Sequence, residues 1–136
     1  MGFMYFLIPF IAWFVAGSTK FMVNYLRFRK NAFQLIGNGG FPSTHTTIVT
    51  SITMLIGFTE GFYTPIFGLA ITFLYITIID ATGIRRSVGK QATVINKHVI
   101  LEKEKHLRES QGHNYIEVLG GIVLGTLIAY LISRLI

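Results

Sequence analysis

Four long apolar runs, separated by two basic connections and one short turn, constrain this chain more than any other feature of its sequence. A helix that crosses a bilayer needs about 20 mainly apolar residues. The runs extend from about Phe3 to Thr19, continuing past Lys20 toward Leu26, then from Ser43 to Phe58, Phe62 to Ile79 and Tyr115 to Ile132. Pro9 lies inside the first, where a kink is expected. The second is short and rich in threonine, whose hydroxyls bond back to helix carbonyls and so do not forbid a span. Thr59-Glu60-Gly61 leaves room only for an antiparallel hairpin between the second and third runs. With 51% hydrophobic residues, 13% charged and a mean hydropathy of +0.57, the composition excludes an ordinary soluble domain. No cysteine is present, so disulfides and thiolate metal sites are excluded. Met1 to Tyr5 carries no Lys or Arg, unlike the start of a secretory signal, and reads as part of a retained membrane helix. The expected fold is all-α: one domain over residues 1–136, an integral membrane bundle of about four transmembrane helices with an interfacial amphipathic helix.

A net charge of +6 raises nucleic acid as a partner, but the placement of the charges argues against it. Arg27, Arg29 and Lys30 lie in the first connection, and Arg85, Arg86, Lys90, Lys97, Lys103, Lys105 and Arg108 in the third. With Lys20 counted at the same edge, that face holds every basic residue except Arg134. The positive-inside rule then puts both connections in the cytoplasm and both termini outside. Within the third connection, about Gly83 to Gly112, Val88, Ala92, Ile95 and Val99 recur at helical spacing among Lys90, Lys97 and Lys103. That pattern predicts a helix on the cytoplasmic leaflet with its lysines toward anionic headgroups. Glu104 and Arg108 have i,i+4 spacing, and His98 and His106 read as exposed loop residues. Gly121 and Gly125 have the spacing of a close helix contact.

The same topology gathers the reactive side chains at one depth. Gly39-Gly40-Phe41-Pro42 ends the segment before the second helix, Ser43 or Thr44 caps it, and His45 falls in its first turn. A helix start offers unpaired N–H groups and the positive end of the dipole, which suit a phosphate. His113 and Glu117 begin the fourth helix on the same side and share a face, so the carboxylate can fix the imidazole tautomer. The alternatives are an ordinary helix cap at His45 and a helix-start salt bridge at His113. Lys20 and Arg27 close the first helix, while Asp80, Arg85 and Arg86 follow the third. Asp80 is either a functional carboxylate at membrane depth or a partner for Arg85 or Arg86. Lys20 either joins the site or extends to the interface. Two histidines, carboxylates and cations together form a coherent set for phosphoryl transfer.

The segments Lys20-Phe-Met-Val-Asn-Tyr-Leu-Arg27 and Pro42-Ser43-Thr44-His45, with Arg108, His113 and Glu117, resemble the three signatures of type-2 phosphatidic acid phosphatases. That superfamily also includes the vanadium haloperoxidases. The closer likeness is to its small divergent branch, the acid phosphatase/vanadium-dependent haloperoxidase-related membrane proteins, through Asp80 to Arg86, Gln91-Ala92 and Gly112-His113. It covers nearly the whole chain. The resemblance implies that Lys20, Arg27 and Arg108 hold the phosphoryl oxygens with Ser43 and the Thr44 backbone. It makes His45 the acid for the leaving group, His113 the nucleophile that forms a phosphohistidine, and Glu117 the residue that orients it. The sequence departs from the signatures at Phe28, Thr44, Leu107 and Glu117, where proline, glycine, serine and aspartate are usual. Four residues rather than five separate Arg108 from His113, which opens its role to Arg85 or Arg86. The usual core has six helices, so a homodimer is one way to complete the site.

Two functions follow from these residues. The first is an integral membrane lipid phosphatase acting on a phosphomonoester at the cytoplasmic face, with phosphatidylglycerophosphate preferred over phosphatidate or a polyprenyl phosphate as substrate. It requires no cofactor, although Asp80, Glu109 and Glu117 are a set able to attract Mg²⁺. The second is a non-catalytic transporter or interaction subunit whose basic edge binds a lipid headgroup or anion.

Overall fold

The computed structural model describes residues 2–28, 40–99 and 106–136, with the side chains of Arg27 and Phe28 excepted. Every regular element among the described residues is helical. Helix α1 spans Gly2–Phe28, α2 Thr44–Glu60, α3 Pro65–Ile79, α4 Arg85–His98 and α5 Tyr115–Ser133. A π-turn over Asp80–Ile84 joins α3 directly to α4.

Apolar surface decides which way each helix faces. Among the described residues three helical stretches are long and apolar enough to cross a membrane: Gly2–Leu26, Pro65–His98 and Tyr115–Ser133. Their large side chains, among them Phe3, Phe6, Phe10, Ile66, Leu69, Phe73, Leu119 and Leu127, point outward, as lipid-facing residues do. α2, expected as a fourth span, has only 17 residues and sits inside the bundle, packed on α1, α3 and α5. Its polar side chains turn inward: Ser43, Thr46, Thr47, Thr50, Ser51 and Thr53 are all buried. Thr47 donates to the Ser43 carbonyl at 2.9 Å, Ser51 to Ile48 at 2.8 Å and Thr53 to Val49 at 2.8 Å. These back-bonds satisfy hydroxyls that no water reaches.

Small residues bring the backbones together. An added Cβ at Gly121 would stand 2.7 Å from the Ser43 carbonyl oxygen, and one at Gly125 would stand 2.6 Å from that of Thr47. The pair that the sequence marked as a contact is therefore the α5 face that rests on the hydroxyl ridge of α2. Ile8 and Ala12 of α1, Leu55 of α2 and Ile128, Ala129 and Ile132 of α5 fill the buried core. Tyr5 donates to Glu60 at 2.6 Å and shares a 2.5 Å hydrogen bond with Thr59, so the start of α1 meets the end of α2. α1 passes Pro9 without a break in the helix.

These contacts fix direction. α2 runs antiparallel to α1 and α3 and parallel to α5, because Ser43 N–H donates to the Glu117 carbonyl at 2.9 Å while Phe58 meets Tyr130 near the far end. The starts of α2 and α5 and the end of α1 therefore lie at one edge. The amphipathic segment of the third connection is helical, but no loop precedes it: it continues α3 through the π-turn. Ala92 is buried, while Val88, Ile95 and Val99 are exposed along its outer side. Arg108 lies outside the helices, and its expected i,i+4 partner Glu104 lies outside the described residues. Arg29, Lys30, Lys103, Glu104 and Lys105 fall outside the described residues.

Candidate active site

The start of α5 carries the most specific geometry. Asn114 caps the helix by accepting from the Glu117 N–H at 2.8 Å, and Glu117 Oε2 accepts from the Asn114 N–H at 3.1 Å in a reciprocal capping box. The same oxygen lies 2.9 Å from His113 Nδ1. An ionised carboxylate only accepts, so Nδ1–H donates and Nε2 keeps its lone pair. Burial pushes the His113 imidazole below its ordinary value, and Lys20 and Arg85 push the same way against the hydrogen bond and charge of Glu117. A neutral imidazole with a free Nε2 is a nucleophile at neutral pH.

His113 is held from its backbone as well. Its N–H donates to the Ala81 carbonyl of the π-turn at 2.9 Å. Gly112 makes the approach with φ +82°, and a Cβ there would stand 2.7 Å from Arg86 N and 2.9 Å from Ala81 O. The π-turn also sets Arg85: its N–H donates to the Asp80 carbonyl, and its Nε to Asp80 Oδ2 at 2.5 Å. Residues 107–112 are strapped along α4. Asn96 donates to the Leu107 carbonyl at 2.8 Å and accepts from the Leu107 N–H at 2.9 Å. Asn96 and Thr93 also donate to the Glu109 carboxylate at 2.8 and 3.0 Å, which holds that carboxyl below its ordinary value. Gly89 lets the strap lie close, since a Cβ there would meet the Glu109 carbonyl oxygen at 2.5 Å.

Between the strap, α1 and the start of α2 lies a cavity of about 780 Å³, within the usual range for small-molecule sites. Lys20, Thr44, His45, Arg85, Arg108 and His113 line it. A smaller cavity of about 260 Å³ shares His45, Arg85 and His113 and adds Asp80. Of the residues expected from sequence, Ser43 does not line either cavity. Its hydroxyl is buried as the α2 cap, 2.8 Å from the Thr46 hydroxyl. Glu117 acts through His113, and exposed Arg86 packs its stem over Gly112, away from the cavity. The Arg27 side chain lies outside the described residues.

Asn24, Ser110 and Gln111 also line the larger cavity, and Asn24 is buried. Asn24 had a signal in the sequence, because Lys20, Asn24 and Arg27 recur at i, i+4 and i+7 and share one helical face. The carboxylates considered for Mg²⁺ do not converge: Asp80 pairs with Arg85, Glu117 with His113, and Glu109 with Asn96 and Thr93. Among the described residues no group of three His, Asp or Glu side chains forms a metal site.

Residues 3–128 match the family described as the Divergent PAP2 family. The chain is 36% identical over 137 aligned positions to the uncharacterized membrane protein YuiD of Bacillus subtilis (strain 168), covering 85% of this chain and 87% of that one. No solved structure matches.

Proposed function

The chain belongs to the Divergent PAP2 family, and from that we propose that it hydrolyses a lipid phosphomonoester at the cytoplasmic face of a membrane. One observation carries the reading: the His113–Glu117 pair opens on a cavity that also takes in His45, Lys20, Arg85 and Arg108.

Lys20, Arg85 and Arg108 hold the phosphoryl oxygens, with Arg27 closing the same face of α1 and the Thr44 backbone at the start of α2 beside them. Asp80 orients Arg85 through their ion pair. His113 Nε2 attacks phosphorus as the bond to the lipid oxygen breaks, and protonated His45 gives that oxygen its proton. Glu117 holds Nδ1–H and stabilises the charge that develops on the ring. A water then attacks the phosphohistidine and gives its proton to His45, which releases inorganic phosphate and restores both histidines. Ser43 contributes by capping α2 rather than by touching phosphate. No cofactor takes part in these steps.

Phosphatidylglycerophosphate is the preferred substrate because a cytoplasmic site meets lipids made on that side. Orientation rests on the basic edge. Glu60→Cys and Lys97→Cys label from opposite sides if it is right, and labelling from one side rejects it. The decisive assay is phosphate release from phosphatidylglycerophosphate, phosphatidate and a polyprenyl diphosphate, with His113→Ala alongside. Release lost in the variant supports the reading. A folded preparation inert on all three leaves a protein that binds lipid or anion without turnover.

A further inference from the structure

We propose that the apolar end of the larger cavity binds the aliphatic chain of a phosphorylated amphiphile, with Gly17 setting how much chain it admits. The proposal rests on the phosphatase reading only for the phosphate at the other end.

The argument begins with the order of residues along two cavity walls. On α1, Trp13 and Phe14, Gly17, Lys20 and Asn24 recur every three or four positions, so one face of the helix lines the cavity. That face is polar at Asn24 and Lys20 and apolar at Phe14 and Trp13. On α2, Thr44 and His45 line the polar end and Ile48 lies one turn deeper. Because α1 and α2 are antiparallel, both walls change from polar to apolar in one direction, away from the strap and into the bundle. From Lys20 to Trp13 the helix rises about 10 Å. A lipid in the adjoining leaflet has the same order along the same axis, with its head at the basic edge and its chain toward the bilayer centre.

The apolar end also adjoins the outside. Trp13 and Phe14 are 61% and 67% exposed on the surface that faces lipid, so a chain enters without crossing water. Gly17 lies between the two ends, and a Cβ there would meet no atom of the described residues within 4 Å. At Gly57, Gly121 and Gly125 an added Cβ would meet another atom closer than 3 Å, so those glycines serve packing. Gly17 serves no such contact. What it leaves is open space at the middle of the polar-to-apolar gradient.

Trp13 is the sole tryptophan of the chain and lines this end, so its fluorescence reports occupancy. The probes are inorganic phosphate, then methyl-, butyl- and octylphosphonate, which are not hydrolysed, and geranylphosphonate as the isoprenoid arm. The protein is the full chain in lipid nanodiscs. Affinity should rise with chain length, by up to about fourfold for each methylene buried. In Gly17→Leu the ratio of octylphosphonate to phosphate affinity should fall at least tenfold. Gly68→Leu, equally unhindered on α3 but off the cavity, should leave it unchanged. Tighter binding of octyl than geranyl assigns an acyl chain, and the reverse assigns an isoprenyl chain.

An unchanged ratio in Gly17→Leu would mean that the chain stays in surrounding lipid, and the proposal falls while the head-group reading stands. If inorganic phosphate fails to bind the wild-type protein, the phosphatase reading falls instead. The octylphosphonate comparison between wild type and Gly17→Leu then still decides the chain site.

Discussion

The backbone N–H of His113 donates to the carbonyl of Ala81, 2.9 Å away, so the proposed nucleophile hangs from the first half of the π-turn. π-turns inserted in α-helices recur at functional sites. Here the turn does two things at once, since it also pairs Arg85 with Asp80 and sets Arg85 into both cavities.

Gly112 is the residue that permits this docking. Gly112→Ala forces a side chain into a backbone at φ +82° and against Arg86 N and Ala81 O. The expected cost is about 1–3 kcal/mol, and the release of His113 from the π-turn should lower phosphate release more than tenfold. Thermal unfolding in detergent and turnover on the same preparation test both effects.

Turnover should follow the ionisation of His113. Burial holds its imidazole below the ordinary value of about 6.5, so the neutral nucleophile persists into mildly acid solution and the acid limb of kcat/KM lies below that pH. Glu117 opposes the shift. Glu117→Gln removes a group that favours the proton, so the limb should move to still lower pH while the maximal rate drops by about 10²-fold or more. A limb that moves upward would contradict the pairing.

Asn96 touches neither cavity but exchanges two hydrogen bonds with Leu107 and a third with Glu109, the residues on either side of Arg108. Asn96→Ala should raise KM about tenfold by loosening the placement of Arg108. In an Arg108→Ala background it should add less than twofold, because neighbours that act as a unit are not additive. Full additivity would make Asn96 merely structural.

Thr50 and Gly125 should respond in opposite ways. The Thr50 hydroxyl is buried with no hydrogen-bond partner among the described residues, so Thr50→Val, nearly the same shape, should leave stability unchanged or raise it by about 1 kcal/mol. Gly125→Val places atoms where Thr47 O and Thr50 Cβ already stand, 2.6 and 2.8 Å from a Cβ, and should lower stability by about 1–3 kcal/mol. Unfolding midpoints in one detergent compare the two.

The helices, the hairpin and the His113–Glu117 pair were legible in the sequence because each depends on local periodicity. Residues four apart share a face whatever surrounds them. The Gly121 and Gly125 contact was legible for the same reason. The π-turn was not: Asp80 to Ile84 has no composition that distinguishes it from an α-helical turn, and what docks on it, Gly112 and His113, lies far along the chain. Asn96 looked like part of a solvated face because its partners, Leu107 and Glu109, arrive from a separate segment. Ser43 belonged to a phosphate signature, yet the packing of α5 buries it as a cap. Whether four apolar runs mean four equivalent spans was likewise a tertiary question, decided by how completely the neighbours of α2 enclose it.

The hydroxyl ridge of α2 imposes an order on biogenesis. Its parallel partner α5 is synthesised after α2, α3 and α4, and until α5 arrives the Ser43 and Thr47 carbonyls and the backbone near Ser51 lack the glycine face that covers them. A nascent chain therefore carries this hydroxyl-rich helix without its glycine cover until α5 is made. A chain cut before Tyr115 would leave that ridge without its cover and present a ready target for membrane quality control.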